Sequence, residues 1–130
     1  PNPRNIMAPK VGERPLYLID KQPFDWSLTT WLGAFDLAYA IALYWAGDLR
    51  RALEPAVLRH YHQTLLQRGV QGYSWEQLYD DYRLSVAMMV MVAVEYLRGG
   101  GDPRWRDFQR GLVQRTLTAC DDLNCDELYG

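Results

Sequence analysis

The chain has 130 residues, enough for one domain with its own core and too few for two. Apolar residues make up 48% of the sequence and charged residues 23%, a balance typical of soluble globular proteins. The 14 basic and 16 acidic side chains are interspersed along the chain, so the composition offers neither a nucleic-acid-binding patch nor a polybasic membrane-binding segment. The longest apolar run, residues 86–94, is far shorter than the ~20 residues that a bilayer span needs.

The first twenty residues have the pattern of a β-hairpin. Two short apolar runs, residues 6–8 and 16–19, are separated by a segment that contains two prolines and a glycine. Turn-forming residues between two apolar runs predict a hairpin with a longer loop, here spanning about residues 6–20. Because two strands alone are marginal in water, we expect helices to pack on them.

The two helices predicted next differ in how clearly they are delimited. Residues 33–46 are apolar on nearly every side, which predicts a buried, central helix. A second helix ends at Arg68, before Gly69, but its beginning stays open because Pro55 lacks the amide donor of a helix interior.

The third and fourth predicted helices have clear start signals. Ser74 followed by Gln77 is a capping box, and the helix it begins continues to about Arg98. Asp102 followed by proline begins a fourth helix that ends near Asp122. The sequence therefore predicts a single domain over residues 1–130, mainly α with a short β-hairpin, with helices over about residues 33–122.

Two polar residues flank the predicted hairpin. Asn5 stands directly before the first strand and Asp20 directly after the second. A hairpin brings these two positions together, and one carboxylate with one amide oxygen is a usual protein contribution to a Mg²⁺ site. The simpler interpretations are that Asn5 is a turn residue and that Asp20 opens a loop.

Several short motifs occur together in this chain. The main ones are Asn2-Pro3-Arg4-Asn5-Ile6, Leu18-Ile19-Asp20 and Gly33-Ala34-Phe35-Asp36-Leu37-Ala38, and the further ones are Tyr61-His62, Gly69-Val70, Tyr73-Ser74-Trp75-Glu76 and Asp81-Tyr82-Arg83. Over about residues 1–95, the chain resembles the aminoglycoside phosphotransferase and choline kinase superfamily, whose members share the protein-kinase-like fold. Lys21 departs from it, because the family usually has Trp or Phe at that position.

The resemblance implies the C-terminal lobe of a kinase-like phosphotransferase that transfers a phosphoryl group from ATP, with Mg²⁺, to a hydroxyl of a small molecule. Asn5 and Asp20 would be the metal ligands, and Asp36 a buried structural anchor that accepts hydrogen bonds from catalytic-loop backbone. The catalytic aspartate of the family's His-Gly-Asp triplet is expected upstream of Pro1. The chain is therefore expected to contain no catalytic residue and to be inactive alone; its acceptor substrate stays open.

Two other functions stay open: a non-catalytic helical interaction module, and a subunit complemented by a separate N-terminal chain. An exposed strand edge or apolar surface would favour self-association of the fragment. No nucleic-acid or membrane partner is expected. Cys120 and Cys125 fit no common zinc spacing, and we expect two reduced thiols in a cytoplasmic protein.

Two further segments have a structural and a functional interpretation. Met88, Met89 and Met91 are expected to pack in the core, the alternative being an adaptable binding pocket. The acidic C-terminal stretch is expected to be solvated and to fray, the alternative being a surface that attracts a cationic acceptor. Its acidic residues are Asp121, Asp122, Asp126 and Glu127.

Overall fold

The computed structural model describes residues 5–13, 15–18, 32–99 and 102–129. The elements in chain order are β1 (Ile6–Met7), β2 (Tyr17–Leu18), α1 (Gly33–Tyr44), α2 (Gly47–Gln67), α3 (Trp75–Arg98), a 3₁₀ turn (Pro103–Trp105), α4 (Arg106–Asp122) and a C-terminal 3₁₀ segment (Cys125–Tyr129). The mainly α architecture predicted from the sequence is confirmed.

The two strands pair as a short antiparallel ladder. Ile6 lies opposite Leu18 and Met7 lies opposite Tyr17, which is the strand direction that the predicted hairpin requires. Gly12 in the connection has a φ of 82°, a conformation that glycine adopts without steric cost. The Met7 and Tyr17 side chains are 55% and 60% exposed, so the hairpin contributes little to the core. The predicted hairpin end at residue 20 lies outside the described residues.

The central element of the domain is α3. α1, predicted to be a central, buried helix, packs against α2, α3 and α4, and Asp36 is its exposed residue. α3 packs against α1, α2, α4 and the C-terminal 3₁₀ segment. On α1, Ala34, Ala38 and Ala42 form a buried face of small side chains that permits close packing against α3. The other side of α1 is only partly covered, although its residues are nearly as apolar.

α3 begins at the capping box that the sequence predicts. The Gln77 amide donates to the Ser74 hydroxyl, and the Ser74 amide donates to the Gln77 side chain. The methionine prediction is only partly right: Met89 is fully buried, whereas Met88 and Met91 are 44% and 73% exposed. On a helix, position 88 is rotated by about 100° and position 91 by about 160° from position 89, so a run of apolar residues cannot all point into one core.

α2 begins well before the proline that left its start open. Pro55 lies inside the helix, after two full turns. It lacks the amide that would bond to the Arg51 carbonyl, but the Arg50 guanidinium donates to the Glu54 carboxylate at 2.8 Å across the same turn. The helix ends at Gln67, and Gly69 follows with a φ of 89°.

The C-terminal stretch is anchored, so the prediction that it frays is wrong, whereas its four acidic residues are exposed to solvent as predicted. The Arg83 guanidinium on α3 donates to the backbone carbonyls of Leu123 and Asn124 and to the Glu127 carboxylate. Cys125 is 3% exposed and belongs to the core. None of the helices in the described part of the chain combines the length and apolarity that a bilayer crossing needs.

Candidate functional site

The strand register bears directly on the predicted metal site. Asn5 immediately precedes β1 and is half-buried. Because Ile6 lies opposite Leu18, the beginning of β1 and the end of β2 are at the same end of the ladder. The other predicted ligand, Asp20, lies outside the described residues. Within the described residues, no group of three or more His, Cys, Asp or Glu side chains is placed to hold a metal.

Asp36 is exposed, so the prediction that it is buried is wrong. It lies in the first turn of α1, where the helix is covered on one side only. An acidic side chain there is also favoured by the partial positive charge of the helix N-terminus. Asn5 and Asp36 both have interaction partners in the structure.

Tyr61 is the neighbour of Asp36 that the sequence did not reveal. A Cβ atom at Gly33 would stand 1.9 Å from the Tyr61 hydroxyl oxygen, so a larger residue at this position would displace the phenol from the start of α1. The pKa of Tyr61 is raised, first by burial and then by the Asp36 carboxylate. The packing of α2 against the first turn of α1 therefore explains why the 33–38 segment begins with a glycine.

The polar contacts continue from Tyr61 along α2 and α3. The Tyr73 hydroxyl donates to the Asp81 carboxylate at 2.7 Å, and Nε2 of His62 lies 2.9 Å from the Tyr73 carbonyl oxygen. Burial, the bond to Asp81 and the nearby Tyr61 raise the pKa of Tyr73. These contacts tie the loop between α2 and α3 to both helices, and they give His62 a structural role.

A buried charged cluster on α2 lies apart from this polar network. Glu54 is 4% exposed and accepts hydrogen bonds from Arg50 and from the Tyr82 hydroxyl, at 2.8 Å and 2.7 Å. Arg50 is 2% exposed and also pairs with Asp122 at the end of α4. Burial raises the pKa of the Glu54 carboxyl, although Tyr82 and Arg50 act in the opposite direction. The cluster joins α2, α3 and α4.

A half-open cavity of about 250 Å³ lies beside this cluster, between α2, α3 and the turn after α4. The rings of Trp75 and Tyr79 are stacked at 5.9 Å, and the Arg59 guanidinium lies 4.7 Å from the centre of the Trp75 ring. The residues that line the cavity are Glu54, Pro55, Leu58, Arg59, Trp75, Tyr79 and Leu123.

Comparisons of the chain with models of protein families, with curated proteins and with solved structures found no match.

Proposed function

We propose that this chain is the metal-binding and helical part of an ATP- and Mg²⁺-dependent phosphotransferase acting on a hydroxyl of a small molecule, with the arrangement of a kinase-like C-terminal lobe. The observation that carries the proposal is the register of β1 and β2. The register places Asn5 at the end of the ladder where β2 ends. Asp20 follows the last residue of β2 by two positions in the sequence. The pattern of residue types that suggested a metal site thus coincides with an antiparallel strand pair.

The residues present are of the type that Mg²⁺ takes. Mg²⁺ prefers oxygen ligands and is usually held by one or two protein groups, with phosphates and waters completing its shell. In the proposal, the Asn5 amide oxygen and the Asp20 carboxylate are the protein ligands. The bound ion would neutralise charge on the phosphates of ATP. In the proposal, the chain's own contribution would be to supply these two oxygens from residues that flank the two strands in the sequence.

The packing around Asp36 is the second support. Gly33 admits the Tyr61 hydroxyl beside the first turn of α1, and Asp36 lies in that turn. In the proposal, Asp36 is a positioning residue that orients backbone at the site from an exposed position, in place of the buried anchor expected from the sequence. Its carboxylate would act through hydrogen bonds, without contacting the reacting groups.

A phosphoryl-transfer assay tests the proposal. The reading frame extended upstream of Pro1 would be assayed with Mg²⁺ and ATP against an aminoglycoside, choline and an amino sugar. We expect transfer to at least one acceptor, with Asp20→Ala and Asn5→Ala each lowering kcat at least 100-fold. Asp126→Ala is the matched control, since it removes an exposed carboxylate far along the chain from the hairpin, and it should leave kcat unchanged. The chain alone, which has no His-Gly-Asp triplet, should transfer nothing.

Two results would contradict the proposal. One is an upstream reading frame that lacks the triplet. The other is Asp20→Ala with the activity of the unaltered protein, because a ligand to the essential metal cannot be dispensable.

A helical interaction module is the second candidate, and the surface of α3 favours it. Leu84, Met88 and Met91 lie on one face of the helix and are 42%, 44% and 73% exposed. A contiguous apolar stripe of this kind is typical of a protein-binding surface. If this function is correct, Met91→Asp should abolish the association that sedimentation detects, and Asp20→Ala should not.

A subunit complemented by a separate N-terminal chain also stays a proposal. It is tested by mixing the separated chains.

A further inference from the structure

The chain reverses direction just after α4 and brings two cysteines together. Cys120 lies in the last turn of α4, and Cys125 begins the C-terminal 3₁₀ segment. The reversal is made at Asn124, which has a φ of 50°, and the Leu123 amide closes the helix by donating to the Ala119 carbonyl. The Asn124 amide also donates to the Asp121 carbonyl, and this helix-ending turn folds Cys125 back toward the last turn of α4, which contains Cys120. Both thiols are free.

The two sulfur atoms differ in access and in partners. Cys120 is partly exposed and packs against the edge of the core. Cys125 is 3% exposed, and its Sγ lies 3.4 Å from the Arg83 carbonyl oxygen, to which it donates. An oxidant arriving from solvent therefore meets Cys120 first, while Cys125 is held behind it by the core and by α3.

The charges and hydrogen bonds around the pair favour ionisation of the accessible sulfur. The pKa of Cys120 is lowered, first by its contact with the Cys125 thiol and to a smaller extent by Arg50, while burial and Asp121 act in the opposite direction. The contact with Cys120, together with burial, raises the pKa of Cys125. A thiolate next to a protonated thiol is the arrangement in which one sulfur attacks and the other resolves.

We propose that Cys120 and Cys125 are a reversible redox pair, in which a peroxide oxidises Cys120 and Cys125 completes a disulfide. In the first step the Cys120 thiolate attacks an oxygen of hydrogen peroxide, the O–O bond breaks, and hydroxide leaves as Cys120 becomes a sulfenic acid. In the second step the Cys125 sulfur attacks the Cys120 sulfur, the S–S bond forms, and water leaves with the thiol proton. In total, the two thiols lose two electrons and two protons, and the peroxide is reduced to two waters.

The disulfide changes the turn after α4. It removes the S–H group that donates to the Arg83 carbonyl, and it joins the last turn of α4 covalently to the C-terminal 3₁₀ segment. Leu123, between the two cysteines, lines the cavity beside Trp75. Oxidation therefore alters a surface where three helices meet, and a dithiol reductant restores it.

Mass spectrometry of the whole chain tests the proposal. No lysine or arginine follows Arg115, so one tryptic peptide, residues 116–130, contains both cysteines. Reduced protein is treated with hydrogen peroxide, its remaining thiols are alkylated in denaturant, and this peptide is weighed. We expect a peptide about 2 Da lighter than the reduced, unalkylated form, and its return to two alkylated thiols when dithiothreitol precedes alkylation.

Two variants separate the roles of the sulfurs. In Cys125→Ser the sulfenic acid at Cys120 has no resolving thiol, so it should be trapped by dimedone. In Cys120→Ser the buried Cys125 should react at least tenfold more slowly than Cys120 does in the unaltered protein. Three results with the unaltered chain would contradict the proposal. The first is oxidation of Cys120 to a sulfinic acid without a disulfide, and the second is disulfide formation between chains. The third is that both thiols stay intact at a peroxide concentration that oxidises a free peptide of residues 116–130.

Discussion

The hairpin and the helices differ in what they bury. Ile6, Met7 and Tyr17 are 38%, 55% and 60% exposed, whereas Val86 and Met89 on α3 are completely buried. The hydrophobic stabilisation of the domain therefore comes from the helices. The ligands of the proposed metal site flank the hairpin, which contributes least to this hydrophobic stabilisation. Residues outside the core are not constrained by packing and can therefore be selected for metal binding. We expect substitutions in the helical core to lower stability more than substitutions in the hairpin.

The largest loss of stability is expected at the buried charged cluster. Arg50→Ala leaves the Glu54 carboxylate buried without its cationic partner, which costs about 3–5 kcal/mol of unfolding free energy. The matched control is Arg98→Ala, which removes an arginine that is 76% exposed and paired to Glu95, with an effect within about 0.5 kcal/mol. Urea unfolding of both variants measures the difference, and equal losses would contradict the assignment of this cluster to the structural core.

The next largest loss is expected in the core under α3. Met89→Ala opens a cavity among fully buried side chains and should cost about 2–5 kcal/mol. Met91→Ala makes the same chemical change two residues away, where the side chain is 73% exposed, and should cost less than about 0.5 kcal/mol. If thermal unfolding shows the two variants to be equally destabilised, the exposed face of α3 is covered in solution, as the interaction module requires.

A smaller and local effect is expected at the C-terminal anchor. Arg83→Ala removes the hydrogen bonds to the Leu123 and Asn124 carbonyls, at a cost of about 1–3 kcal/mol. The C-terminal amides should lose protection against hydrogen exchange, while α1 keeps it. Unchanged protection of residues 123–129 would show that the core packing of Cys125 is sufficient to hold this segment.

The pH dependence of stability has a definite sign at Glu54. Burial raises its pKa above the ordinary value of 4.5, so the folded state binds this proton more tightly than the unfolded chain does. Its contribution to stability is fully present below pH 4.5 and is lost as the pH rises through the folded-state pKa. Glu54→Gln does not titrate, so its unfolding free energy should fall less steeply with pH above this value. An identical slope in the two proteins would contradict the raised pKa.

The smallest effect is expected in the hairpin. Met7→Ala and Tyr17→Ala change exposed side chains of a two-residue ladder, and each should alter the unfolding free energy by less than about 0.5 kcal/mol. A loss as large as that of Met89→Ala would show that the hairpin is packed against another surface in solution, such as a second copy of the chain. Sedimentation equilibrium distinguishes this self-association from a monomer.

Local signals in the sequence predicted most of the elements but not the beginning of α2, and long-range contacts were not predictable. The Ser74–Gln77 capping box and the turn-rich segment of the hairpin act over a few residues, so they predicted where α3 begins and how β1 and β2 pair. The anchoring of the C-terminus was missed because its partner, Arg83, lies 44 residues before Glu127. The packing of Tyr61 against Gly33 was missed for the same reason, and the only sequence signal for it was the glycine itself.

The metal site is tested most directly by nuclear magnetic resonance of the isotope-labelled chain with ATP and Mn²⁺, a paramagnetic substitute for Mg²⁺. We expect selective broadening of amide signals at Asn5 and the adjacent strand residues. Asp20→Ala should abolish this broadening, and the control Asp126→Ala should preserve it. Broadening that centres on the acidic C-terminal residues, that survives Asp20→Ala, or that is absent from the hairpin would contradict the proposed site, and with it the phosphotransferase assignment.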